Sequence, residues 1–166
     1  MSEQLKSKEE ISNWCKDHLI ENFTINDDLT VDVDDNVILY LYPIENLPFQ
    51  FGHVKGDFIL GENNLKTLKG VPYRVDGDFI CGGNDIRDLD YFPKYVNSRI
   101  MLLNNPINSY TSPLEFANNI IWISKPIPGL SYLDIDEYGY YKYNIDDYLI
   151  WNKGAKEFFN ENPFII

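Results

Sequence analysis

The stretch from Val54 to Leu89 reads VKGDFILGENNLKTLKGVPYR and then VDGDFICGGNDIRDL, and the second line repeats the first at an offset of 21 residues. Val54 matches Val75, Gly56 matches Gly77, Asp57 matches Asp78 and Phe58 matches Phe79. The match continues through Leu60 and Cys81, Asn63 and Asn84, Leu65 and Ile86, Leu68 and Leu89, Pro72 and Pro93. A fixed period of this length marks a stacked repeat, in which each unit covers its neighbour's apolar face.

One step forward gives Val96, Ile100, Leu102, Asn105, Ile107 and Tyr110; the next gives Ala117, Ile121 and Ile123, with Pro126 in the asparagine slot. One step backward gives Val33, Val37, Leu39, Ile44 and Leu47, with Tyr42 in that slot. The array therefore covers about residues 33–130, with three well-formed central units and degenerate ends. Within a unit, Phe58-x-Leu60-x-x-Asn63-x-Leu65-x-x-Leu68 is close to the leucine-rich-repeat order. It predicts one short parallel strand per turn, with Phe58 and Leu60 inward, then a bend at which Asn63 satisfies unpaired backbone groups. Asn63, Asn84 and Asn105 should stack as a ladder, and Pro72 and Pro93 sit in the return loop. So short a returning arm leaves no room for a regular helix.

These residues carry a resemblance. VKGDFILGENNLKTLKGVP followed by VDGDFICGGNDI resembles the leucine-rich-repeat-like proteins of tailed bacteriophages, whose units join a Val-x-Gly-x-Phe strand to an Asn-x-Leu-x-x-Leu-x-Gly-x-Pro return. The acidic lead-in ending at Val33-Asp34-Asp35-Asn36-Val37, and Leu47-Pro48-Phe49 before the first full unit, look like that family's lead-in segment. The resemblance covers roughly residues 23–130 and departs at Tyr42, Ser98, Arg99 and Pro126. It implies a repeat fold and a viral product acting in the cytoplasm of a bacterial host, and it implies nothing catalytic.

A chain of 166 residues suffices for one globular unit with a substantial core. Its net charge of −12 argues against a phosphate-binding surface and leaves open basic protein partners or an acidic surface imitating nucleic acid. Cys15 and Cys81 are too few for a disulfide framework, and Cys81 falls on an inward repeat position. The start MSEQLKSKEE is not a basic, apolar signal sequence, and no run is long enough to span a bilayer.

Three segments divide the chain: an N-terminal cap and lead-in strand (1–32), the array (33–130) and an aromatic, acidic C-terminal cap (131–166). Ser7 and Glu10 have capping-box spacing, and Ile11, Trp14, Cys15, His18 and Leu19 follow at helical spacing. This predicts an amphipathic helix from about Lys8 to Asn22 that closes the stack and buries Trp14. His18 falls on its apolar side, as a core histidine would. Five carboxylates between Asp27 and Asp35 invite calcium, but a loop starting at Asp32 has Val37 and Pro43 where glycine and glutamate are needed. Alternating Leu29, Val31 and Val33 fit an edge strand instead. After Leu130, Tyr138 to Tyr143 reads as a strand pairing with Ser131 to Ile135, and Asn144 starts a helix that Gly154 should weaken or break. Tyr148, Leu149, Trp151, Ala155, Phe158 and Phe159 supply its apolar face.

The outward positions are the informative ones. The residue between two inward ones faces the exposed sheet surface, which places Ile38, Ile59, Ile80, Met101 and Trp122 in one row. Gly61 and Gly82 lie in the adjacent row, with Tyr40 and Leu103 at its ends. Such a stripe is covered by the C-terminal segment, closes a homodimer, or binds a partner. Tyr138 and Tyr140 add aromatic contact residues in the acidic cap. No Ser-His-Asp set, phosphate loop or Cys/His zinc spacing is present in the sequence, and no metal or cofactor is expected. The expectation is a non-enzymatic protein-binding solenoid. The alternatives are a self-assembling viral component and a protein that sequesters a small molecule.

Overall fold

A computed structural model describes residues 4–118 and 121–161, with the side chains of the last helix as far as residue 155. Helix α1 is Lys8–Asp17. The strands are β1 Phe23–Ile25, β2 Val31–Val33, β3 Val37–Ile38, β4 Phe51–Val54, β5 Phe58–Ile59, β6 Arg74–Val75, β7 Phe79–Ile80, β8 Tyr95–Val96, β9 Ile100–Met101, β10 Phe116–Ala117, β11 Ile121–Ile123, β12 Asp134–Ile135 and β13 Tyr141–Tyr143. Helix α2, Ile145–Glu161, follows.

These strands form two sheets, ordered β1-β2-β4-β6-β8-β10 and β12-β13-β11-β9-β7-β5-β3. Successive turns pair in parallel at the predicted register: Val54 with Val75 and Val96 in the first sheet, Phe58 with Phe79 and Ile100 in the second. The chain is a mainly β solenoid with 21-residue spacing and a helix at each end. Every apolar inward position named from the period is buried, from Val33 through Ile123, and Asn63, Asn84 and Asn105 are buried with them.

Each turn contains two strands where the sequence predicts one. Val54 and Phe58 both point inward, but from different sheets, because the chain bends sharply at Lys55–Asp57. Glycine is required at that bend: a Cβ on Gly77 would stand 2.7 Å from the Gly56 carbonyl carbon, and one on Gly56 2.7 Å from the Asn36 nitrogen. The residue after the glycine ties the corner to the next turn. Asn36 Oδ1 accepts from the Asp57 N–H at 2.8 Å, Asp57 Oδ1 from Asp78 N–H at 2.8 Å, and Asp78 Oδ1 from Arg99 N–H at 3.0 Å. Arg99 departs from the series and terminates it, folding its Nε back onto Asp78 Oδ2 at 3.0 Å.

A second ladder runs through the asparagines. Asn84 Nδ2 donates to the Leu60 carbonyl of the preceding turn at 2.8 Å, and Asn84 Oδ1 accepts from Leu65 N–H at 3.2 Å. Asn105 repeats both bonds one turn on, to Cys81 and from Ile86. Asn63 donates to Leu39, but its Oδ1 has no donor, because the Ile44 N–H is bonded to the Tyr42 carbonyl at 2.7 Å. Tyr42 in the asparagine slot thus leaves the first rung half made.

The ends depart more from the sequence reading. The Ser7–Glu10 capping box is present, but α1 stops at Asp17 and not near Asn22. Leu19 adopts φ 56° and the Ile20 N–H bonds the Cys15 carbonyl at 2.9 Å, a helix end that drops Ile20 into the core. Trp14 is only half-buried, stacked on the half-buried His18 at 3.8 Å. His18 is therefore no core histidine; its Nδ1 lies 2.8 Å from the Trp14 carbonyl. The expected edge strand through Leu29 is a hairpin instead: Leu29 has φ 65° in the turn, and β1 pairs antiparallel over β2. The acids there serve the backbone, Asp28 accepting from Thr30 and Asp32 from His53 N–H at 2.7 Å.

At the other end, β13 pairs antiparallel with β11 and β12 with β13. Asn144 caps α2, which runs through Gly154 unbroken. Gly154 costs helix propensity without ending the helix, because its neighbours continue the pattern. Tyr148 Oη donates to the Tyr110 carbonyl at 2.7 Å, and Asn152 Oδ1 accepts from Ser112 N–H at 2.8 Å, fastening α2 beneath the last turn. Phe158 and Phe159 lie outside the described side chains.

Two outcomes follow from the ladders. Asn84→Ala strands a buried carbonyl and a buried N–H and should cost about 2–5 kcal/mol, whereas Asn63→Ala should cost about 1 kcal/mol less, since one of its bonds is already missing; urea unfolding of both variants checks the order. Burial pushes the Asp78 carboxyl up, but bonds from the Arg99 side chain, Ser98 and the Arg99 N–H outweigh it and hold the group below the usual carboxylate range. A carboxyl held low in the folded state stabilises fully above about pH 4 and loses that contribution as pH falls through its folded value. Asp78→Asn should therefore be less stable at neutral pH and show a flatter loss of stability on acidification, read by unfolding curves between pH 7 and pH 2.5.

Candidate interaction surface

In the second sheet, register places Ile38 beside Ile59, Ile59 beside Ile80, Ile80 beside Met101 and Met101 beside Trp122. Strands about 4.8 Å apart bring these side chains into contact along the row. Ile59, Ile80, Met101 and Trp122 are half-buried by one another, and Ile38, at the end, is 54% exposed. The neighbouring row starts with Tyr40, 50% exposed, whose ring lies against Gly61: a Cβ there would be 3.1 Å from Tyr40 Cδ2. Gly82 and the half-buried Leu103 complete it. Gly61 lies buried beneath the Tyr40 ring, and Gly82 leaves the row low between Gly61 and Leu103.

Among the described residues, the C-terminal segment does not close over this face. The β12–β13 hairpin joins edge-on and continues the row as Trp122, Lys142 and Asp134. Lys142 Nζ sits 4.5 Å from the Trp122 ring centroid and 3.6 Å from Asp134, so the apolar row ends on a paired cation. Tyr140 is half-buried, and its hydroxyl donates to Asn104 Oδ1 at 3.3 Å beside Leu103. Tyr138, 73% exposed, stands at the hairpin turn with its ring 6.3 Å from that of Tyr140. The structure thus brings Ile38, Tyr40, Ile59, Ile80, Met101, Leu103 and Trp122 onto one sheet face, with Tyr138 and Tyr140 at its C-terminal end.

The first sheet has a different outer chemistry. Its row is His53, Arg74, Tyr95 and Phe116. Asp76 accepts from Arg74 Nε at 2.7 Å and lies 2.8 Å from His53 Nε2; burial raises its pKa, but these partners outweigh burial and hold it low. Tyr95 donates to Glu115 at 2.7 Å, and Glu115 also pairs with Lys94. Polar groups on this face are turned to each other. The sequence reading missed this row because it missed the strand bearing it; the signal was the recurrence of Arg74, Tyr95 and Phe116 one residue before the inward Val75, Val96 and Ala117.

Cys15 and Cys81 are buried, and burial pushes both thiols up to about 12, far from the range of a nucleophilic thiolate. Among the described residues, no helix is long and apolar enough to cross a membrane. Leu19 and Leu41, 80% and 67% exposed, are large apolar groups at the N-terminal end of the second sheet that the period did not single out. No protein-family model, no curated protein and no solved structure matches the chain.

Proposed function

We propose that this chain is a non-catalytic protein-binding solenoid that meets its partner through the open face of the second sheet. The observation that carries this reading is the row Ile38–Ile59–Ile80–Met101–Trp122, which is contiguous, apolar and flanked by its own C-terminal hairpin instead of covered by it. A contiguous apolar patch marks an interaction site, and flat solenoid sheets supply extended ones. The net charge of −12 favours a partner with a basic surround. The resemblance to leucine-rich-repeat-like phage proteins makes the partner a bacterial host protein, met in the host cytoplasm. Charge and apolar face together favour inhibition of a defence or nucleic-acid-handling protein, whose basic surface the acidic flanks would meet.

The same open row favours one other reading. Self-contact of an apolar stripe about a two-fold axis would bury it in a homodimer, as in a self-assembling viral component. Ile80→Glu and Met101→Lys should abolish capture of a stoichiometric protein from bacterial lysate, weakening binding by about 100-fold or more, while circular dichroism stays unchanged. Retained capture sinks the sheet-face reading. Light scattering separates the alternatives: a monomer at all concentrations supports a foreign partner, and a dimer lost on Ile80→Glu supports self-assembly.

A further inference from the structure

We propose that the open edge of β3 is a second docking site, which takes an extended basic segment of another protein as an added strand. Among the described residues the two sheets end unequally at the N-terminal side: β1 continues the first beyond β2, whereas the second stops at β3. In β3 and the residues just after it, the N–H groups of Val37, Leu39 and Leu41 donate inward along the stack, to the carbonyls of Asp57, Ile59 and Gly61. Strand alternation turns the N–H and C=O of Ile38 the other way, toward the vacant strand position. That position is a groove between β3 and the end of α1, lined by His18, Leu19 and Glu21 on one side and Asp35, Ile38 and Tyr40 on the other.

Leu19, which lines the groove, is 80% exposed at the end of α1, where its φ of 56° turns Ile20 into the core. Leu41, 67% exposed, follows β3 at the left-handed position that each turn repeats. Charge selects the occupant. Glu21 and Asp35 line the groove, and no lysine or arginine does. A second copy meeting it through the edges of the same sheet is disfavoured, since those edges bring Asp34 and Asp35 at β3, or Asp134 and Asp136 at β12. An acidic edge repels these and admits a strand bearing lysine or arginine. The site shares Ile38 and Tyr40 with the end of the apolar face, but it is read through the backbone edge, so a variant at the middle of the row separates the two.

The test uses the full chain and two eight-residue probe peptides, one alternating valine with lysine and one alternating valine with glutamate. The lysine peptide should slow hydrogen exchange of the Ile38 amide at least about ten-fold, with affinity falling as salt rises, and the glutamate peptide should not. Ile38→Pro removes the docking N–H without touching the β3–β5 bonds, and proline is tolerated on a free edge; it should weaken the lysine peptide at least about ten-fold with circular dichroism unchanged. Leu19→Gly should raise the melting temperature and yet weaken binding, a pairing that a purely structural leucine would not give. Ile80→Glu should leave peptide binding intact, separating this edge from the face. The proposal is overturned if neither peptide binds, if both bind equally, if Ile38→Pro binds normally, or if Ile38 is protected without peptide through self-association.

Discussion

The bond on which the structure depends is the side-chain amide that reaches from one turn to the one before it. Strands in this solenoid are mostly two residues long, so backbone ladders alone leave much of each turn unpaired. Asn84 bridges the gap with both ends of one group, donating to a carbonyl 24 residues back and accepting from an N–H 19 residues back. The carboxylates of Asp57 and Asp78 do the same at the opposite corner, accepting from the N–H 21 residues on. Two rigid spans across each turn fix its length. One inserted residue would strand both sets of partners, the buried amide set most severely, and this is the physical origin of the period.

The ends are shaped by what those ladders lack. The first turn has Tyr42 in place of asparagine, so Asn63 keeps an unpartnered oxygen while Ile44 bonds locally. At the far end Arg99 and Pro126 end the two series, and unrelated groups take over. The Tyr143 hydroxyl accepts from Ile127 N–H at 2.6 Å, and Tyr148 and Asn152 bond the backbone of Tyr110 and Ser112. Capping here means replacing polar partners as much as covering apolar ones.

The inward positions were legible because burial repeats with the chain, so Phe58, Leu60, Asn63, Leu65 and Leu68 could be read off one unit and carried along. The outer row followed, since Ile59 between two inward residues has only one direction left. The second strand of each turn was not legible: a two-residue strand shows no alternation, and Val54 alone does not announce a sheet of its own. The left-handed residues at Leu19, Leu29, Leu41 and Glu62 were hidden for a related reason, because only glycine or asparagine advertises that conformation. Gly83 and Asn104 do so at the register of Leu41 and Glu62, so the series was half visible. Whether the aromatic C-terminal segment lay over the stripe or beside it could not be read, because hairpin patterning names a strand's pairing and not its outer neighbour.

The two outer faces are built on the same backbone and differ in what they do with it. On the first sheet, Asp76 takes both His53 and Arg74, Lys55 pairs with Asp34 at 2.8 Å, and Tyr95 turns to Glu115. That face satisfies itself. On the second sheet the same register carries Ile38, Ile59, Ile80 and Met101, which line up along one row. Nothing in the turn requires apolar groups there, since the inward residues and the amide ladders hold it together, and threonine or tyrosine would suit a strand as well as isoleucine does. The apolar row therefore contributes little to folding that a polar row would not. Its larger contribution is made when a surface covers it and its water is released.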